Sequence, residues 1–287
     1  MDAGLSPLAA FDRWPAAVEV YAQNIGHHAE VQDLCDIDTA IKRIRDLHPD
    51  LIAGGPPCQD FSQAGSRCEG ERAALTVLFA RAVVAVRPQW FVMENVGRAR
   101  LSHAFTEARH LFKMAAYGLT EMVLDASLCG VPQRRRRFFC IGRLAEADGF
   151  LDGEITASVA AAPLTVREYL GDELGVEHYY RHPRDYRRRG VFSIDEPAPT
   201  VRGSSRPVAP GYQRHLRDTA APSAVKALTS EQRGRLQTFP KDWRWHGTKT
   251  DIDQMVGNAV PVELARFIAE AVVRNAVESL RWQSVAA

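Results

Sequence analysis

The sequence lacks most marks of a membrane, secreted or metal-stapled protein. Across 287 residues no apolar run approaches the roughly 18 residues of a membrane span. The opening Met1-Asp2-Ala3-Gly4 has no basic-then-apolar signal pattern. Both absences lead us to expect a cytosolic protein with no membrane partner. The five cysteines (35, 58, 68, 129 and 140) include no C-x-x-C pair, so neither a disulfide framework nor a zinc site is expected. Internal repeats and low-complexity tracts are missing too. Lysine is scarce, with 5 against 31 arginines. A GC-rich genome accounts for that ratio but not for where the charges fall. Residues 1–60 carry 4 basic and 10 acidic side chains, whereas 178–217 carry 9 basic, all Arg, and 3 acidic. Arg grips phosphate and guanine with paired donors that Lys cannot match.

What is present is a chain of ordinary globular composition, 46% hydrophobic and 25% charged. Short apolar runs at 8–11, 51–53, 90–93, 122–124 and 138–141 read as strands. Helical spacing appears at 17–22, 38–47, 72–87 and 104–116. Strands alternating with helices predict a parallel α/β sheet, whose strand C-termini gather ligands. Asp12, the Pro56-Pro57-Cys58-Gln59 loop and Glu94-Asn95 lie at such ends. From about residue 144 the periodicity fades into an Arg-, Pro- and Gly-rich stretch, and it returns at Leu228-Thr229-Ser230-Glu231, which reads as a capped helix start. Residues 261–281 read as a long amphipathic helix with Pro261 in its first turn. The expected division is 1–143, a small domain over 144–225, and 226–287 returning to the first.

Cys58 follows two glycines and two prolines in a stiff polar loop after a strand, where a nucleophile belongs. Cys35, Cys68, Cys129 and Cys140 read as small packed hydrophobes. Glu94 ends the next strand, so parallel pairing would bring both side chains to one sheet edge. In the run Gln133-Arg134-Arg135-Arg136-Arg137, extended backbone would turn Arg135 and Arg137 to one face and Arg134 and Arg136 to the other.

Five segments then occur in order: Pro57-Cys58-Gln59, Glu94-Asn95-Val96, Gln133-x-Arg135-x-Arg137, Leu228-Thr229-x-Glu231 through Arg235-Leu236-Gln237-Thr238-Phe239-Pro240, and Gly257-Asn258-Ala259-Val260-Pro261. This ordered set resembles the cytosine-C5 DNA methyltransferases of bacterial restriction–modification systems, over nearly the whole chain. The resemblance implies an α/β, Rossmann-like sheet that uses S-adenosylmethionine, with a small irregular target-recognition domain. It implies Cys58, Glu94 and Arg135 as catalytic residues, Arg135 contacting the base carbonyl or bracing Glu94. Asp12, Asp33, Pro57, Leu75, Asn258 and Ala259 would hold the cofactor. Gln59, Ser62, Arg137, Arg181, Arg184, Arg187, Arg188 and Arg202 would face DNA, with no metal. Double-stranded DNA is the implied partner, a cognate restriction endonuclease belongs to the same system, and a monomer is expected. An RNA cytosine methyltransferase and a catalytically dead DNA-binding remnant remain as alternatives.

The chain departs from the family at its start. The F-x-G-x-G-G loop and the strand before it, expected beside the strand that leads to Cys58, are not found in these residues. A misassigned start, a decayed gene and a segment supplied by another chain all remain open. These 287 residues are expected to bind S-adenosylmethionine weakly or not at all. Tight binding by calorimetry would refute that.

Overall fold

The computed structural model describes residues 3–26, 28–56 and 69–286. By internal packing it divides into two units. The first contains residues 1–124, 136–158 and 270–287, and the second 125–135 and 159–269.

The first unit begins with β1 (Ala10–Asp12), α1 (Pro15–Ile25) and β2 (Ala29–Val31). Pro15 suits a first helical turn, where its missing N–H has no partner to lose. Gly26 closes α1 in the left-handed conformation. Next come α2 (Ile37–Asp46), β3 (Leu51–Gly54), α3 (Glu69–Val86), β4 (Trp90–Val96), α4 (His103–Met114) and β5 (Tyr117–Asp125). Asp36 caps α2 and Ser102 caps α4, each side chain accepting an amide of the first turn.

The alternation of strand and helix produces the expected α/β layers. β1 pairs in parallel with β2, and β3 with β4. One expectation of direction needs correcting. After β6 (Gln133–Arg134), strand β7 (Arg136–Leu144) runs antiparallel to β4, so the order β3-β4-β7-β5 is a mixed sheet. The physical reason lies in the link. β7 neighbours β5, and residues 126–135 between them are too few for a parallel crossover, which needs about a dozen residues or more.

β1 and β2 form a separate two-stranded sheet. Among the described residues no strand pairs with β3 on the edge away from β4. Leu51 and Ile52 are only half-buried there, and Ala53 is exposed.

The core of this unit joins Phe79 and Val83 of α3 to Phe91 and Met93 of β4, Phe112 of α4 and Phe138 of β7. Phe91 stacks on Phe112 with ring centroids 4.0 Å apart. Opposite Phe91 in the ladder sits Gly142, where a Cβ would lie 1.9 Å from the Phe91 ring. The strand glycine is thus the space that the ring fills.

The second unit holds α6 (Val166–Leu170), β8 (His178–Tyr180), β9 (Val191–Ser193), β10 (Ala198–Pro199), α7 (Ser230–Leu236) and α8 (Lys249–Asn258). α5 (Asp152–Ser158) and the C-terminal part of α9 (Val262–Ala286) belong to the first unit. The division differs from the expected 144–225. Leu228, Leu236 and Val256 share one core with Val166, Leu170, Tyr179, Ile194 and Val201, so 226–269 packs with the irregular stretch. That stretch has little periodicity because its elements are short and its apolar residues come from many segments. The capped start at Thr229 is as expected: its side chain and that of Gln232 exchange hydrogen bonds with each other's backbone.

Candidate active site on the methyltransferase sheet

The register of β3 and β4 matches Gly54, the last residue of β3, with Met93, so Glu94, next along β4, lies just past the end of β3. Gly55 follows β3, and a Cβ there would stand 3.2 Å from Glu94 Oε2. The backbone leading to Cys58 therefore abuts the Glu94 carboxylate. Asn95, 4% exposed, donates from Nδ2 to the Pro56 carbonyl at 3.1 Å and fixes the root of that loop. Cys58, Pro57, Gln59 and Ser62 lie outside the described residues.

Glu94 lies opposite Phe139, and Val96 opposite Arg137. Glu94 and Arg137 are thus diagonal neighbours across an antiparallel pair, within reach for long side chains. Arg137 Nε sits 2.8 Å from Glu94 Oε1, with the two side chains 13% and 15% exposed. Shielding from water makes such a pair stronger and more directional than one at the surface.

Arg135 is placed differently. The predicted alternation holds in that Arg134 and Arg136 are exposed, Arg137 is half-buried and Arg135 is 1% exposed. The resemblance gives Arg135 the base carbonyl or Glu94 as its partner; the ion pair seen at Glu94 is with Arg137. Arg135 donates from Nη1 to Val201 O (2.9 Å), and from Nη2 to Gly257 O (2.8 Å) and Ala259 O (3.0 Å). Arg137, expected to face DNA, holds the carboxylate. The two arginines belong to different units although one residue separates them.

The other motif residues complete the lattice around Arg135. Gln133, fully buried, donates to Gln237 Oε1 (2.7 Å) and Leu236 O, and accepts from Val201 N–H (2.8 Å). Gln237 Nε2 in turn donates to Val256 O and Ala259 O. Gly257 is required here, because a Cβ would lie 2.1 Å from Gly203 N. Gln133 and Gln237 carry no functional assignment from sequence, since their role is to tie segments about a hundred residues apart.

The cofactor candidates lie as follows. Asp12 ends β1 and accepts from the Trp14 amide at 2.9 Å, and Asp33, after β2, accepts from the Cys35 amide at 2.9 Å. Both are exposed, and the Cys35 amide bond holds the Asp33 carboxyl below its usual range. Two carboxylates at the ends of adjacent parallel strands suit sugar hydroxyls and an exocyclic amine. Leu75 is buried in α3. In the second unit Asn258 is exposed, while Ala259 is half-buried with its carbonyl taken by Arg135 and Gln237.

Of the arginines expected to face DNA, Arg181 donates to Thr200 O (2.9 Å) and Arg202 to His182 O (3.4 Å). Arg187 pairs with Asp185 (3.2 Å), and Arg184 and Arg188 are exposed. Among the other cysteines, Cys129 and Cys140 are buried as expected, and burial raises Cys129 to about 12. Cys35 is exposed, against expectation, because it sits in the turn after β2 rather than in an element with a core face. Cys68 lies outside the described residues. No group of three or more metal-binding side chains occurs among the described residues, and no helix there is long and apolar enough to cross a membrane.

Residues 1–274 match the family model described as C-5 cytosine-specific DNA methylase. The type II methyltransferase M.HindV of Haemophilus influenzae is 48% identical over 282 residues, spanning 97% of this chain and 93% of that protein. M.HgiDI of Herpetosiphon aurantiacus is 47% identical, over 94% of this chain and 87% of the relative. Among solved structures, the S. pombe Dnmt2 methyltransferase superposes with a TM-score of 0.68 at 19% identity, covering 94% of this chain and 91% of that one. A putative DNA modification methyltransferase from an E. coli prophage also gives 0.68, at 20% identity, covering 95% and 93%. Those two structures share the fold. The chain belongs to the C-5 cytosine-specific DNA methylase family.

Proposed function

We propose that Cys58, Glu94 and Arg137 carry out the family's reaction on a cytosine drawn out of duplex DNA. Membership of the family makes the protein a DNA cytosine-C5 methyltransferase of the restriction–modification type. The observation that supports these roles is the shielded Glu94–Arg137 pair, with the backbone that leads to Cys58 lying against the same carboxylate.

Cytosine C5 is too weak a nucleophile to take a methyl group unaided. The Cys58 thiolate adds to C6, and the displaced electron pair moves through the ring toward N3. Glu94 meets N3 and the N4 amino group and delivers a proton as charge grows there. Arg137 holds the Glu94 carboxylate in place for that transfer. C5 is then the nucleophilic end of an enamine. When bound, S-adenosylmethionine supplies an electrophilic methyl group to C5. Loss of the C5 proton to water re-forms the ring double bond and breaks the C6–S bond, N3 returns its proton to Glu94, and Cys58 leaves as the thiolate. The target atoms are out of reach inside a duplex, so the base is flipped out first. Gln59 and Ser62 hold the flipped state from the Cys58 loop.

Asp12 and Asp33 receive the adenosine part of the cofactor, with Pro57, Leu75, Asn258 and Ala259 as further contacts. Arg135 holds the second unit together and does not touch substrate. Arg181, Arg184, Arg187, Arg188 and Arg202 supply contacts to double-stranded DNA. The enzyme acts as a monomer in the cytoplasm, alongside a cognate restriction endonuclease that it need not touch.

The test is methyl transfer from labelled S-adenosylmethionine to unmethylated duplex DNA and to tRNA. It uses this chain, one extended upstream of Met1, and Cys58→Ser versions of both. Label in DNA, none in tRNA and none with Cys58→Ser is the expected result. Label in tRNA alone overturns the DNA reading. No label from any version leaves the dead binder.

A further inference from the structure

The second unit contains a cavity of about 260 Å³, bordered by β8, the segment after it and the segment after β10. Five arginines line it: Arg181, Arg184, Arg202, Arg206 and Arg233. Among the described residues no aspartate or glutamate does. Arg233 has its own partner in Asp253. The guanidinium groups of Arg181 and Arg202 reach only neutral carbonyls, those of Thr200 and His182. Arg184 and Arg206 are exposed, and among the described residues neither is held by a hydrogen bond or an ion pair.

This differs from the neighbouring charge run. There Arg187 pairs with Asp185, and Arg189 grips Glu196 with both terminal nitrogens while lying 4.4 Å over the Phe192 ring. The conspicuous run of arginines is thus largely engaged within the chain. The less conspicuous ones are not.

Gathering like charges around a half-enclosed cavity is unfavourable, because each is desolvated and repels the others. Burial, then the charges of Arg202 and Arg184, hold the Arg181 guanidinium down to about 10, so it remains protonated at neutral pH. Arg202 is lowered for the same two reasons. Burial, followed by Arg206 and Arg202, lowers His182 and favours its neutral form. Tyr179 also lines the cavity, and its buried hydroxyl has no hydrogen-bond partner. A guest rich in acceptors would answer the gathered guanidinium charge. Beside Ser204 and Ser205, Val201, Leu228 and Leu236 give the wall an apolar part that suits the flat face of a base.

We propose that this cavity receives a paired-acceptor group of bound DNA, the O6/N7 edge of a guanine or a phosphate, with Arg184 and Arg206 as donors. Either group accepts two parallel bonds from one guanidinium. The proposal rests on the DNA reading above. It adds where the recognition unit makes contact and which arginines do so.

The test compares wild type with the Arg184→Gln/Arg206→Gln double variant. Both side chains are exposed and unengaged, so the fold is expected to survive, and circular dichroism verifies that. One arm maps methylated cytosines in plasmid DNA from a host that lacks the modification. The other follows binding to a fluorescent duplex of random sequence across a salt series. The double variant is expected to lose about tenfold or more in methylation at preferred sites. A loss confined to discrimination at one guanine position assigns the cavity to a base edge. A uniform loss, with the salt slope reduced by about one for each arginine, assigns it to phosphates. Unchanged site preference, affinity and salt slope overturn the proposal. If neither wild type nor a chain extended upstream of Met1 methylates any site, the enzymatic reading fails on its own. The binding arm then decides the cavity.

Discussion

Replacing Glu94 with Gln is expected to lower methyl transfer by about 10²–10⁴-fold while leaving the chain folded. Gln keeps the shape and can still accept one hydrogen bond from Arg137. It cannot deliver a proton to N3 as negative charge develops on the ring. The loss should therefore appear in kcat, with little change in affinity for DNA. Stability should fall by only about 1–3 kcal/mol, the range for a hydrogen bond to a charged group. The reading also predicts a weaker companion effect. Arg137→Gln leaves the carboxylate chemically intact but frees its rotamer, so it should cost less in kcat than Glu94→Gln. Single-turnover transfer to a duplex substrate measures both. An Arg137 variant slower than the Glu94 variant would show that the arginine itself acts on the base.

Replacing Arg135 with Met is expected to act on the fold. Arg135 is 1% exposed and donates to three main-chain carbonyls. Met fills a similar volume but donates nothing. The Ala259 carbonyl keeps Gln237 as a donor, whereas those of Val201 and Gly257 lose Arg135. An orphaned buried acceptor costs about 1–3 kcal/mol, so two give about 2–6 kcal/mol. Urea unfolding followed by tryptophan fluorescence should register the change, because Trp243 and Trp245 lie in the second unit. Arg135→Lys should recover only part of it, since one ammonium group lacks the fork that reaches several carbonyls. A stable Arg135→Met protein that cannot methylate DNA would return Arg135 to the catalytic site.

These two predictions reverse the order of the motif. In Gln133-x-Arg135-x-Arg137, strand alternation sets Arg135 and Arg137 apart from Arg134 and Arg136, and the burial pattern agrees. Alternation carries no information on what Arg135 and Arg137 meet. Arg137 finds Glu94 because β7 runs antiparallel to β4 in a register that sets them diagonally. Arg135 sits just before that ladder begins, where Val201, Gly257 and Ala259 supply carbonyls from far along the chain. Spacing within one segment cannot encode partners 66 to 124 residues away.

The Arg-rich stretch has the same character. Its charge count is plain in the sequence, but the division of labour within it is not. Arg187 and Arg189 are the obvious members of a run, and local carboxylates engage them. Arg206 drew no attention in the sequence, yet it lines the cavity with Arg184.

The sequence by itself determined the α/β alternation, the capped helix start at Thr229, the acidic residue on the strand after β3 and the family. All of these are local patterns: a hydrophobic period, a turn composition, a short motif in a fixed order. Tertiary structure alone decided the direction of β7, the extent of the second unit and the arginine that holds Glu94. It also decided which arginines remain uncompensated. Each of these depends on pairing between distant segments, and the energy of such pairing lies in contacts that no single stretch of chain contains.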